Sequence, residues 1–205
     1  MSTTAALVSR NTLWPAQILT VGLCVAIAVF AYRYLLEIGA PPEIIAGNRF
    51  ITPWLVVHAT AAATALLLGP FQFWASLRAR MPTLHRWNGR VYVTACVVGG
   101  LTGFILALGA SSGPVTTLGF GSLAVAWLVS TILAWRLAVA RRFVEHRQWM
   151  IRSFALTFAA VTLRLYVPMS LLLPVPFETA YQAISFVCWV PNLIAAELYL
   201  HRRTS

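Results

Sequence analysis

Residues 91–135 carry no charged side chain. A bilayer core about 30 Å thick takes roughly 20 apolar residues of helix, so this run holds two spans, and Gly109-Ala110-Ser111-Ser112-Gly113-Pro114 breaks it where a turn belongs. Similar runs flank it: residues 11–32 between Arg10 and Arg33, and residues 50–77 between Arg49 and Arg78. After Arg152 a further span is interrupted only by Arg164 and closes near Pro174-Val175-Pro176. The last run follows Glu178 to Leu200, with Pro191 as an expected kink. Backbone polar groups in lipid must be satisfied within the segment, and strands of alternating polarity are absent from the pattern. The sequence therefore predicts an all-α integral membrane bundle of six transmembrane helices in one domain, 1–205. The helices fall at roughly 13–36, 51–75, 88–109, 115–138, 150–172 and 178–200.

Composition narrows the function classes. Only 10% of residues are charged and the mean hydropathy is +0.78, against about 25% charged in a soluble domain. The net charge of +10 comes from 15 basic residues, all Arg, against five Glu. Nucleic acid is excluded as a partner because binding it needs a basic soluble face. The arginines cluster instead in segments 76–90 (Arg78, Arg80, Arg86, Arg90) and 136–152 (Arg136, Arg141, Arg142, Arg147, Arg152), with Arg10 and Arg202-Arg203 near the ends. By the positive-inside rule these segments and both termini are expected in the cytoplasm, and the first helix is too long for a cleavable signal. Trp14, Tyr32, Tyr34, Trp54, Trp74, Trp87, Trp135 and Trp149 fall near span ends, as an interfacial belt does. Cys24, Cys96 and Cys188 are dispersed over three helices and read as packing residues.

The two Arg-rich segments match each other: Trp74, Arg80, His85 and Arg86 correspond to Trp135, Arg141, His146 and Arg147 at constant offset. Helices 2–3 and 4–5 are then expected to form two hairpins related by a pseudo-twofold axis, unless shared interfacial chemistry alone accounts for four matched positions. The series His58, Gly69-Pro70-Phe71-Gln72-Phe73, Arg80, His85-Arg86-x-x-Gly89-Arg90-x-Tyr92, His146-Arg147-x-Trp149-Met150-x-Arg152-Ser153 and Leu163-Arg164 resembles the domain-of-unknown-function family 2306. That family comprises predicted bacterial membrane proteins. The resemblance runs from about residue 50 to 170. It implies a polytopic protein of the bacterial inner membrane and supplies no activity.

Two constellations carry candidate chemistry. His85 and His146 are expected at one depth, facing across the axis. As neutral imidazoles they suit the axial ligation of haem b, with Arg86, Arg90, Arg147 or Arg152 on the propionates, and His201 is a third candidate for a metal site with them. The alternative is that these His-Arg pairs contact anionic lipid headgroups. His58 and Arg164 lie at roughly 10 Å and 21 Å from opposite boundaries at about 1.5 Å rise per residue, hence at one level, with Gln182 near it. An intramembrane Arg is a functional-site candidate by default. The pocket suits a quinone head group, an anion or a proton, or else Arg164 snorkels outward to pair with Glu37 or Glu178. Gly99 and Gly103 give a small-xxx-small seam for close helix packing, which also suits a homodimer or partner subunit. No Asp, Walker loop, GxSxG or HExxH is present, which disfavours hydrolytic and nucleotide-driven chemistry. Ion-coupled transport wants buried carboxylates, and only Glu197 lies toward a span end. The expected function is binding of haem b or a quinone in a redox-related role, with a small transporter or a lipid-interacting accessory protein as the alternative.

Overall fold

The bundle is organised by a closed ring of four helices. The computed structural model describes residues 3–204, with side-chain surroundings described for residues 15–203; the side chains of Arg10 and Trp14 lie outside the described residues. Helix α1 (Thr3–Ala31) runs into a 3-10 turn at Tyr32–Tyr34, and a short α2 (Glu43–Ala46) follows. Next come α3 (Ile51–Leu68), a 3-10 turn at Pro70–Phe73, α4 (Ala75–Arg80), α5 (Pro82–Leu108) and α6 (Pro114–Val139). The fifth span is α7 (Phe143–Thr157) with α8 (Ala159–Ser170), and the sixth is α9 (Phe177–Val187) with α10 (Val190–Thr204). Six segments are long and apolar enough to cross a membrane: Pro15–Tyr34, Ile51–Phe73, Pro82–Leu108, Pro114–Val139, Phe143–Ser170 and Phe177–Arg203. Among the described residues there is no strand. In ring order α3 packs on α5, α5 on α6, α6 on α7, and α7 returns to α3; α1 lies outside against α3 and α8, and α9–α10 cover α6, α7 and α8.

Lipid supplies no hydrophobic drive between helices, so small residues and interhelical hydrogen bonds hold such a bundle together. The interior follows that rule, with Ala59, Ala63, Ala65, Ala95, Ala107, Ala124 and Ala134 buried beside Thr116, Ser130, Thr131 and Ser153. The large apolar side chains face outward instead, Leu118 being 67% and Leu172 85% exposed. In water so continuous an apolar surface would aggregate; here it is the lipid-facing surface.

Local chemistry explains the ends. Gly113 takes φ +89° and Pro114 follows it at the start of α6, the glycine supplying a left-handed turn and the proline a pre-set first helical residue. The carbonyls ending α5 are closed from another loop: Asn48 Nδ2 donates to Leu106 O at 2.7 Å, and the Arg49 amide to Gly109 O at 3.0 Å. Pro70 has no N–H for the Leu66 carbonyl, so α3 stops at Leu68 and Asn88 Nδ2 reaches Leu68 O at 3.4 Å. The Pro191 kink is a full break at Cys188–Trp189, because the proline ring crowds the carbonyl four residues back. Thr162 and Asn192 close that break: the Thr162 hydroxyl donates to Cys188 O, and Asn192 Nδ2 donates to Cys188 O at 3.1 Å and to Thr162 Oγ1 at 3.2 Å.

Spans 3 and 5 begin earlier than their hydropathy predicts, at Pro82 and Phe143 rather than near residues 88 and 150. Their Arg-rich starts stay helical although polar, since hydropathy marks where a helix enters lipid and not where it begins. His85 and His146 are thereby fixed in the first turns of α5 and α7.

Candidate functional site

One face of α5 organises the polar interior. His85, Gly89, Tyr92, Cys96, Gly99 and Gly103 recur at alternating spacings of four and three, so they stack on a single inward stripe. At its centre the Tyr92 hydroxyl lies 3.0 Å from both Ser153 Oγ and Thr157 Oγ1 on α7, bridging the ring diagonally. Thr131 Oγ1 of α6 is 2.7 Å from Ser153 Oγ, and Trp127 Nε1 donates to Thr157 Oγ1 at 2.9 Å. A consistent assignment of hydrogens runs Thr131 to Ser153 to Tyr92 to Thr157, whose hydroxyl donates to Ser153 O at 2.9 Å. Every member is satisfied. Sequence reasoning quoted Tyr92 and Ser153 within the family series without giving them a role and passed over Thr157; their signal was the polar residues recurring at helical spacing within apolar spans.

Toward the Arg-rich end the stripe changes character. His146 of α7 directs Nδ1 to Ala134 O of α6 at 2.8 Å. A carbonyl only accepts, so Nδ1 carries a proton, and it is Nε2 that is left to face other groups. His85 faces it from α5, with His146 and Arg78 both within electrostatic reach. The His85 Nδ1 atom is buried and has no hydrogen-bond partner. Gln72, in the 3-10 turn after α3, is 7% exposed, and its Nε2 is likewise buried without a partner. Gln72 Oε1 lies 3.3 Å from where a Cβ on Gly89 would be, one helical turn beyond His85 on the same face. Two orphaned polar atoms thus border one region, where native proteins satisfy nearly all such groups. Gln72 is a functional candidate that sequence reasoning quoted within a motif and gave no role.

The arginines do not converge on this region as expected. Arg152 forms a two-pronged ion pair with Glu197 of α10 (Nε to Oε1 2.6 Å, Nη2 to Oε2 2.8 Å) and stacks over Trp149 at 4.6 Å, so it ties α7 to α10 rather than waiting for a propionate. Arg86, Arg90 and Arg147 are exposed; Arg86 donates to Thr83 at 3.4 Å, and Arg90 stacks over Trp87 at 4.9 Å. Arg142 pairs with Glu145 next to His146 in sequence. Among the described residues no three His, Cys, Asp or Glu side chains gather as a metal site. His201 therefore does not complete a trio with His85 and His146; it lies in the last turn of α10, outside the ring.

At the other end His58 directs Nδ1 to Gly99 O at 2.8 Å. Its ring occupies the space a Cβ on Gly103 would need, with Cε1 2.8 Å from that position, while Trp127 and Leu128 press on Gly99 and Gly100. The glycine seam is thus filled from within the chain. Arg164 is within electrostatic reach of His58 and donates Nη1 to Ala160 O at 3.1 Å. Among the described residues neither Glu37 nor Glu178 forms an ion pair with it, contrary to the expected pairing. Gln182 also departs from expectation: its Nε2 donates to Ser112 O at 2.9 Å, fastening α9 to the α5–α6 turn instead of joining His58 and Arg164.

Residues 55–200 match the family model DUF2306, described as a predicted membrane protein. The match takes in Gln72 and the three ring histidines and leaves out Arg33. No curated protein and no solved structure matches the chain.

Proposed function

Because the chain belongs to the DUF2306 family of predicted membrane proteins, we propose that it binds the head group of a membrane quinone between His85 and Gln72 at its Arg-rich end. The observation that carries this reading is the pair of buried, unpartnered atoms, His85 Nδ1 and Gln72 Nε2. A buried donor without a partner costs about 1–3 kcal/mol, and a ligand rich in carbonyl acceptors removes that cost. A quinone meets the requirement: its ring carbonyls accept from an amide N–H and from His85 in its Nδ1–H tautomer, and its apolar tail stays in lipid. Donors aimed at those oxygens stabilise the reduced forms more than the quinone, because the added negative charge collects there. The reading sets the Arg-rich end on the cytoplasmic side of a bacterial inner membrane, which the arginine distribution supports. The exposed arginines stacked on Trp87 and Tyr199 then contact anionic headgroups.

A second reading is favoured by His146. An imidazole whose Nδ1–H is held by a carbonyl is the arrangement metal-ligating histidines adopt, so His85 and His146 could serve as axial ligands to haem b. Against it stand the engagement of Arg152 by Glu197 and the exposure of the other expected propionate arginines.

Titrating the detergent-solubilised protein with a short-chain ubiquinone, read by tryptophan fluorescence, tests the proposal. Saturable binding is expected, weakened about tenfold, or about 1.4 kcal/mol, in Gln72→Leu and in His85→Leu. Gln72→Leu is also expected to raise the quinone-free melting temperature, because it removes an unsatisfied buried amide. Wild-type affinity in both variants overturns the reading. A Soret band lost in His85→Ala and His146→Ala transfers the site to haem.

A further inference from the structure

We propose that Arg33 and Arg164 clasp one anionic group, a phosphate or a carboxylate, at the end of the bundle opposite the Arg-rich segments. The site stands apart from His85 and Gln72, and the proposal does not depend on them.

The arrangement follows from packing. Helices α1 and α8 are in contact and run in the same direction; Ala31 and Val161 are buried in one cluster with Ala160 packed against it. Two residues beyond Ala31 comes Arg33, and three beyond Val161 comes Arg164, so both arginines follow the shared cluster toward the same end of the bundle. Each lies within electrostatic reach of the other, and Tyr34 and Tyr181 lie within the same reach of Arg164. Among the described residues no carboxylate forms an ion pair with either arginine.

Donor accounting points the same way. A guanidinium offers five N–H donors and no acceptor. Arg33 Nη2 donates to Tyr34 Oη at 3.1 Å, while its Nε is buried and has no partner. Its carbon lies 4.7 Å from the ring centres of both Phe30 and Tyr34, which hold the group in place. Gly39, at φ +74°, brings the following loop over Nη1, to within 3.5 Å of where its Cβ would lie. Arg164 donates to its own helix at Ala160 O. Tyr34 accepts from Arg33, which frees its own hydroxyl hydrogen for a ligand. Two like charges held together at the edge of a low-dielectric medium repel each other, and an anion between them converts that repulsion into two attractions. Arginine's planar fork suits phosphate and carboxylate oxygens.

The test uses the full chain in an uncharged maltoside detergent at low ionic strength, with inorganic phosphate as one probe and dioctanoyl phosphatidylglycerol as the other. Melting temperature is followed in wild type, Arg33→Gln and Arg164→Gln. At least one probe is expected to raise the wild-type melting temperature, and both variants should lose most of that rise. Without probe, both variants should melt at or above wild type, since each relieves a like-charge contact. A response to phosphate alone assigns the site to a soluble anion, and a response to the lipid alone to a headgroup. The proposal is overturned by no response in wild type, by an undiminished response in both variants, or by probe-free variants that both melt below wild type.

Discussion

Gly119→Ala is expected to disrupt the docking of α9 on α6 and to lower stability by about 3 kcal/mol, the upper part of the usual range for overpacking a close interface. A Cβ at residue 119 would collide with Ser185 Oγ and lie 2.7 Å from Ser185 Cβ and 3.0 Å from the Ser185 backbone carbon. A rotamer change clears the hydroxyl only; the other two contacts require α9 to move. The gain from replacing a helical glycine by alanine, about 1 kcal/mol, is too small to offset them. The displacement also pulls Gln182 from Ser112 O, so the α5–α6 turn loosens with it. Equilibrium unfolding in mixed micelles measures the loss. Adding Ser185→Gly should restore a large part of it, because the glycine removes two of the three contacts. An unchanged stability in Gly119→Ala would mean that α6 and α9 are not packed at this distance.

Tyr92→Phe is expected to cost about 2 kcal/mol while preserving shape, because it removes one oxygen from a closed donor chain. Ser153 then loses its acceptor and Thr157 loses a donor, both in a buried site away from water. The low local dielectric that strengthens the intact chain makes its interruption expensive. The effect should be non-additive with Ser153→Ala: the double variant should lose clearly less stability than the sum of the two single losses, since the first substitution already breaks the chain. Additive losses would show that the hydroxyls act independently.

What the sequence made legible differs between the fold and the site. Spans were readable because charge-free runs and the Gly109–Pro114 turn report directly on which residues enter lipid. The ring was not, because hydropathy carries no information on which helix packs against which; that choice rests on small residues such as Gly99 and Gly103, whose partners His58 and Trp127 lie on other helices. His85 and His146 stand out by residue type, and the structure brings them within electrostatic reach. Gln72 did not stand out, because a lone glutamine near a span end looks like any interfacial polar residue until its amide is found buried and unpartnered. Arg152 misled for the reverse reason: its partner Glu197 lies forty-five residues away, and only folding unites them. Gln182 likewise has an ordinary loop carbonyl as its partner, and no side-chain pattern announces one.

The central claim is that His85 and Gln72 border a head-group site at the Arg-rich end. Photo-crosslinking with an azido-substituted short-chain quinone, followed by peptide mapping, tests it most directly. The account predicts label on the 70–73 turn and on the first turns of α5 and α7, suppressed by excess unlabelled quinone and by Gln72→Leu. Label spread over the lipid-facing surface, or confined to the opposite end around His58 and Arg164, would contradict it.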